Sequence, residues 1–295
     1  MKINLKNILF LFVALLTLFS CGTSSDEKDK INAELLDPSK ALNTDFDGKI
    51  FSIPSPIQMA LLLKETNVPF NLDLLNDTKN IEKYTTEYKQ ALNLGIYGAD
   101  LGYASINEEN SASLNCLSVV ETLTDKLGLS GVFNKNFISR YEKNKTHKDS
   151  VLMIVSEAFR NGDDYLKNEK RKNTSALILT GGWLESIYFA CALNKSAPNN
   201  KIVQRIGEQK QTMSTIIEIL EENNEKGINN QLIKKLKNLK LSFDLIKIDY
   251  KFVQPKTDEA RKLTTLRHTS SVIVEAKVLE ELAEKVISIR ESIIN

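Results

Sequence analysis

The sequence predicts an all-α protein, with one multi-helix, bundle-like domain over residues 51–295. From about Ser55 onward apolar residues recur at three- and four-residue spacing, and almost no stretch alternates apolar and polar two by two. The run from Ser175 to Leu193 is apolar nearly all round, which at this length marks a helix buried in the middle of a domain rather than a membrane span. The composition, 42% hydrophobic and 26% charged with only 12 Gly and 6 Pro, is that of a folded globular chain.

The elements follow in order. Ser55-Pro56-Ile57-Gln58 opens the first helix, because Ser can cap, Pro suits the first helical position and Gln58 completes a capping box. That helix runs through Met59 to Leu63 and stops before Pro69. A second spans about Ile81 to Leu94, and Gly95 to Gly102 either continue or break it. A third covers Asn110 to Leu127 and ends at Gly128. Thr146 to Asp149 form another capping box, opening a helix whose stripe is Val151, Leu152, Val155, Ala158, Phe159 and Leu166. Beyond the apolar helix and Pro198, Lys201 to Glu222 carry Ile202, Ile206, Met213, Ile216 and Leu220 on one stripe, and Gln231 to Ile248 read as a lysine-flanked amphipathic helix. In the last helix Val272, Ala276, Leu279, Ala283, Val286 and Ile293 keep a four-three spacing, with Arg290 as the single break, which predicts a seam packed within the chain. No tetratricopeptide or HEAT repeat is present, so a solenoid has no support.

Ahead of this domain, residues 1–20 read as a secretion signal: Lys2 and Lys6 give a positive start, and Ile8 to Phe19 an apolar core too short for a comfortable membrane span. Leu18-Phe19-Ser20-Cys21, with Gly22 behind it, resembles the bacterial lipobox, although Phe19 replaces the usual small or aliphatic residue. The resemblance implies diacylglycerol transfer to the Cys21 sulfur, cleavage before Cys21 and acylation of the new amino group, so palmitate-like chains would anchor the protein to the membrane. Residues 21–50 are expected to be a flexible tether, and Asp26-Glu27 within it resemble the acidic signals that send some lipoproteins to the cell surface. The 39 Lys and Arg nearly cancel 38 Asp and Glu, a balance that argues against nucleic-acid binding, and loss of Lys2 and Lys6 takes the net charge from +1 to −1.

Catalytic and metal-binding signatures are missing. The two histidines, His147 and His268, have no ligand partner at metal spacing, and there is no HExxH, CxxC, P-loop or GxSxG motif. No catalytic residue, metal site or cofactor is expected. Cys116 and Cys191 lie inside apolar helices, read as two buried thiols in preference to a disulfide. Asp149-Ser150-Val151 resembles a short O-glycosylation acceptor of exported proteins. The unusual segment is Leu94 to Ala104, where Gly95, Gly98 and Gly102 surround Tyr97, Asp100 and Tyr103. A second glycine pair, Gly181-Gly182, stands beside Trp183, Glu185 and Tyr188. Glycine disfavours a helix by about 0.5 to 1 kcal/mol relative to alanine, so these positions need a reason. One is close helix crossing, with the carboxylates met by Lys, Arg or backbone donors. The other is a ligand pocket lined by those six aromatic and acidic residues, with Asp100 and Glu185 facing one cleft.

The lipobox at Cys21, together with Ser55-Pro56-Ile57-Gln58, the run Ala91 to Tyr103 and Gly181-Gly182-Trp183, resembles a group of Bacteroidota envelope lipoproteins over most of the mature chain. The resemblance implies an outer-membrane address, on the periplasmic face or at the cell surface, and carries over no catalytic residue. The expected function is therefore a non-enzymatic lipoprotein acting through contacts with an envelope protein, the alternatives being a small-ligand receptor built on the two glycine segments and, third, an enzyme using Asp100 and Glu185 as paired carboxylates.

Overall fold

The computed structural model describes residues 42–46, 49–53, 56–145, 147–260, 262–267 and 269–295. The leader, Cys21, Asp26-Glu27 and the capping residues Ser55 and Thr146 lie outside the described residues. The fold is all-α. A short antiparallel hairpin, β1 (Leu42–Phe46) and β2 (Lys49–Ile53), leads into α1 (Pro56–Glu65). Two 3-10 turns (Leu72–Leu74 and Thr78–Lys83) precede α2 (Glu87–Ile106), α3 (Asn110–Lys126), α4 (Lys135–Asn144), α5 (Lys148–Asn168), α6 (Lys172–Ser196), α7 (Asn200–Glu222) and α8 (Asn230–Asp244). Four strands then form an exposed two-legged arm in two ladders: β3 (Lys247–Lys251) pairs with β6 (Thr269–Ile273), and β4 (Lys256–Asp258) with β5 (Leu263–Thr265). Helix α9 (Ala276–Ile294) closes the chain.

Local chemistry sets the helix limits. The Thr86 side chain caps α2 by accepting from the Lys89 N–H, and Asn134 and Asn199 cap α4 and α7 in the same manner. At the end of α3, Gly128 adopts φ +69° and lets the Leu129 N–H reach the Thr124 carbonyl, the left-handed closure that favours glycine there.

Helices α2 and α6 form the centre. They run in the same direction: Thr174 meets Glu87 near their starts, and Tyr103 stacks on Phe189 near their ends. Around them pack α1, α3, α5, α7 and α9, while α4 rests on α5 and α8 on α7 and α9. The glycines do not break α2, which is buried without interruption from Ala91 to Ile106. They bring it against α6. A Cβ on Gly95 would collide with the Ile178 carbonyl oxygen and stand 2.6 Å from the Gly182 nitrogen, and one on Gly181 would collide with the Leu92 carbonyl and stand 2.9 Å from its carbon. At Gly98 the neighbour is the ring of Phe159 on α5.

Several boundaries differ from expectation. The second helix starts at Glu87 because Thr86 caps it, and Ile81 belongs to a 3-10 turn. The β1–β2 hairpin occupies part of the expected tether. The helix expected to reach Ile248 ends at Asp244, and Val272, placed on the last helix by its spacing, is in β6 opposite Ile248. Cross-strand pairing overrides the helical spacing there, since Ile248 and Tyr250 already alternate with Lys247, Asp249 and Lys251.

The crossing yields a stability prediction. Gly181→Ala places a methyl against backbone that cannot rotate aside, so urea unfolding should show a loss of about 1 to 3 kcal/mol or more, as overpacking does. Gly131, which has open space around its missing Cβ, is the control: Gly131→Ala should stay within about 0.5 kcal/mol of the parent.

Candidate functional site

The crossing decides where the carboxylates go. Glu185 stands one turn beyond Gly181, and Asp100 follows Gly95 along α2. The parallel helices therefore bring both acids together in the core, where each is 0% exposed. Two buried negative charges cannot coexist without compensation, and it comes from α9. Arg290 grips Glu185 through two bonds, Nε to Oε2 at 2.6 Å and Nη2 to Oε1 at 2.7 Å, the bidentate geometry a guanidinium fork favours. Its Nη2 also donates to the Leu74 carbonyl at 3.0 Å, and the guanidinium lies 4.1 Å from the centre of the Tyr188 ring.

One positive charge serves two carboxyls, so a proton supplies the balance. Burial pushes the Asp100 carboxyl well above the usual range, the neighbouring Glu185 charge adds to this, and Arg290 offsets only part. Burial raises Glu185 too, against the attraction of Arg290. Asp100 Oδ2 accepts from the Asn76 backbone N–H at 3.2 Å, whereas Oδ1 receives no donor among the described residues. A proton on Asp100 would let it donate to Glu185 and leave Glu185 the ionised partner of Arg290. The cluster is then neutral overall, as its depth requires.

A second set of bonds extends the cluster. The Asn76 amide donates to Tyr84 Oη at 3.0 Å, the Tyr84 hydroxyl donates to the Ile294 carbonyl at 3.3 Å, and Asn93 Nδ2 donates to the Ile293 carbonyl at 3.3 Å. The turns before α2 and the end of α9 are thus joined through buried polar groups.

Of the six residues read as a possible pocket lining, the structure unites Asp100, Glu185 and Tyr188 around Arg290. The other three are engaged elsewhere in the core. Tyr97 donates to the Asp77 carbonyl at 2.7 Å, Tyr103 accepts from the Asn71 N–H and stacks between Phe70 and Phe189, and Trp183 donates to Gln209 at 3.2 Å beside Phe243. Cys116 and Cys191 are free buried thiols. A shallow surface recess of about 490 Å³, lined by Ile81, Glu82, Thr85, Gln90, Thr122 and Lys126, meets the polar network at Tyr84. Among the described residues no group of three or more His, Cys, Asp or Glu side chains is placed to hold a metal ion. In the sequence Arg290 shows only as a break in an apolar seam, and nothing there marks Asn76, Asn93 or Tyr84 as its companions. For Arg290 the signal was its break in an apolar seam, since a charge at a core position needs a buried partner. Comparison with protein-family models, curated proteins and solved structures finds no match to this chain.

Chemically the arrangement favours a neutral Asp100 beside an ionised Glu185, and the Glu185–Arg290 pair fastens α9 to the crossing. Two predictions follow from the charge balance. Arg290→Met leaves an uncompensated buried carboxylate, and breaking such a pair typically destabilises by about 3 to 5 kcal/mol, readable as a lower urea midpoint. Because the folded pKa of Asp100 lies above its unfolded value, the folded state binds the extra proton. This contribution weakens as pH climbs above the unfolded carboxylate range, near about 4. Asp100→Asn, which retains a donor toward Glu185, should match the parent near pH 4 and overtake it in unfolding free energy as pH rises to neutrality. A parent and variant whose difference does not change with pH would refute the shared proton.

Proposed function

We propose that the protein is a membrane-anchored envelope lipoprotein, held at the outer membrane by acyl chains on Cys21, and that its helical domain is a non-enzymatic module acting through protein contacts. The observation that carries the reading is the N-terminal run: Lys2 and Lys6, the apolar core Ile8 to Phe19, and Leu18-Phe19-Ser20-Cys21. The Bacteroidota lipoprotein resemblance supports the same address. Among the described residues only α6 is long and apolar enough to cross a membrane, and 78% of its apolar window is buried, as in the core helix of a globular domain.

The non-enzymatic part rests on how the acidic residues are used. Asp100 and Glu185, the pair best suited to acid and base work, lie at Arg290 among packed side chains, and Gly95 and Gly181 on the same two helices serve the backbone contact between α2 and α6. A general acid or base must come within hydrogen-bond reach of its substrate, and here the reach is filled by the protein itself.

The test is made at the anchor. The wild-type protein should fractionate with the outer membrane after a salt wash and give an N-terminal peptide that begins at Cys21 and carries acyl mass. Cys21→Ala should lose both. A wild-type peptide without acyl mass overturns the lipoprotein reading.

A further inference from the structure

Residues 247–273 form a hairpin whose two legs stay in step almost throughout. Lys247 pairs with Ile273 and Lys251 with Thr269, and after a one-residue shift in register Lys256 pairs with Thr265 and Asp258 with Leu263. Such a shift is what a β-bulge introduces. Arg267 bridges the shift by donating to the Gln254 carbonyl at 3.0 Å. At about 3.3 Å per residue the leg from Lys247 to Asp258 reaches up to about 40 Å. The root is seated on the domain, where Val272 and Ile246 pack against Gly207 of α7. Strands β3, β4 and β5 are exposed along their whole length. A two-stranded hairpin solvated on both faces is marginal on its own, yet this one carries large apolar side chains into solvent, with Phe252 68% and Leu266 65% exposed and Leu263 and Ile248 about half. Large apolar side chains exposed at intervals along one element from root to tip suit a surface that covers its whole length.

The charge pattern selects the occupant. Between Lys247 and Ile273 stand six Lys or Arg against three Asp or Glu, so acidic residues outnumber basic ones in the rest of the chain. Lysines along an open strand edge discourage the addition of another strand, which disfavours a second copy or an extended peptide. The same lysines favour phosphate-bearing anionic lipid, and bulky apolar groups interleaved with Lys and Arg match the headgroup layer of a bilayer. We infer that the 247–273 arm is a peripheral membrane-contact device that lays Phe252, Leu263 and Leu266 into the headgroup region of an anionic lipid surface. The inference stands on the arm alone and holds whether or not Cys21 is acylated.

The test reads the arm within the full chain. The single tryptophan, Trp183, is buried and hydrogen-bonded to Gln209, so a Phe252→Trp variant adds a probe at the arm. Tyr165→Trp, on the exposed face of α5, adds one away from it. Both proteins are mixed with vesicles of brominated phosphatidylcholine, with and without phosphatidylglycerol. An N-terminal anchor brings the chain to either vesicle, so dependence on lipid charge isolates the arm. The expected result is a blue shift and quenching of the Phe252→Trp signal on anionic vesicles only. Raising salt from about 0.15 M to about 1 M, which shortens the screening length from about 8 to about 3 Å, should reverse it. Lys251→Glu with Lys256→Glu should weaken the quenching titration about tenfold or more. Absence of quenching, equal quenching on uncharged vesicles, or equal quenching of the Tyr165→Trp probe overturns the inference. Concentration-dependent self-association that disappears with Phe252→Ser, without lipid quenching, also overturns it and assigns the arm to a second copy. Retention of the parent melting curve by each variant shows that the fold is intact.

Discussion

Helices α2 and α6 touch backbone to backbone, because Gly95 and Gly181 leave no side chain where the Ile178 and Leu92 carbonyls pass. Most of the core arrangement depends on that approach. With any larger residue at these positions the axes would stand farther apart, and Asp100 and Glu185 would have room for water between them. At the distance the glycines permit, the two acids lie together with no exposure to bulk solvent. That placement requires a cation, and Arg290 brings α9 to it. The order of cause runs from two missing Cβ atoms to a proton and an ion pair, and from there to the position of the last helix.

The buried helices are well marked in the sequence because each satisfies its apolar stripe locally. Stripes such as Ile202, Ile206, Met213 and Leu220 need no knowledge of a partner to be recognised, and Gly128 ends α3 through its own backbone freedom. Legibility fails where a residue's reason lies far away in sequence. Arg290 looks like a flaw in an apolar seam until Glu185, 105 residues earlier, is set against it. The arm fails for the complementary reason. Lys247 to Ile248 extend the spacing of α8, and Val272 fits the spacing of α9, so both strands were absorbed into neighbouring helices. What separates them is their pairing with each other, and pairing between distant segments leaves no periodic trace in either alone. The glycine segments were legible as unusual positions, while the choice between crossing and pocket needed the partner backbone.

A buried ion cluster is a poor source of net stability, since desolvation consumes most of the attraction and an apolar replacement of equal volume is often as stable or more so. Its value here is selective. The apolar face of α9, formed by Val278, Leu282, Val286, Ile289 and Ile293, offers similar contacts if the helix slides by one turn, as residues four apart on a helix line the same face. The polar contacts do not tolerate that slide. Arg290 has one bidentate partner, Asn93 donates to the Ile293 carbonyl, and Tyr84 to that of Ile294. A displacement of one turn, about 5.4 Å, would break all three and leave two carboxyls without their cation. The hydrophobic seam thus supplies attraction without register, and the cluster at the glycine crossing supplies register with little attraction. Neither alone would hold the end of this chain in one place.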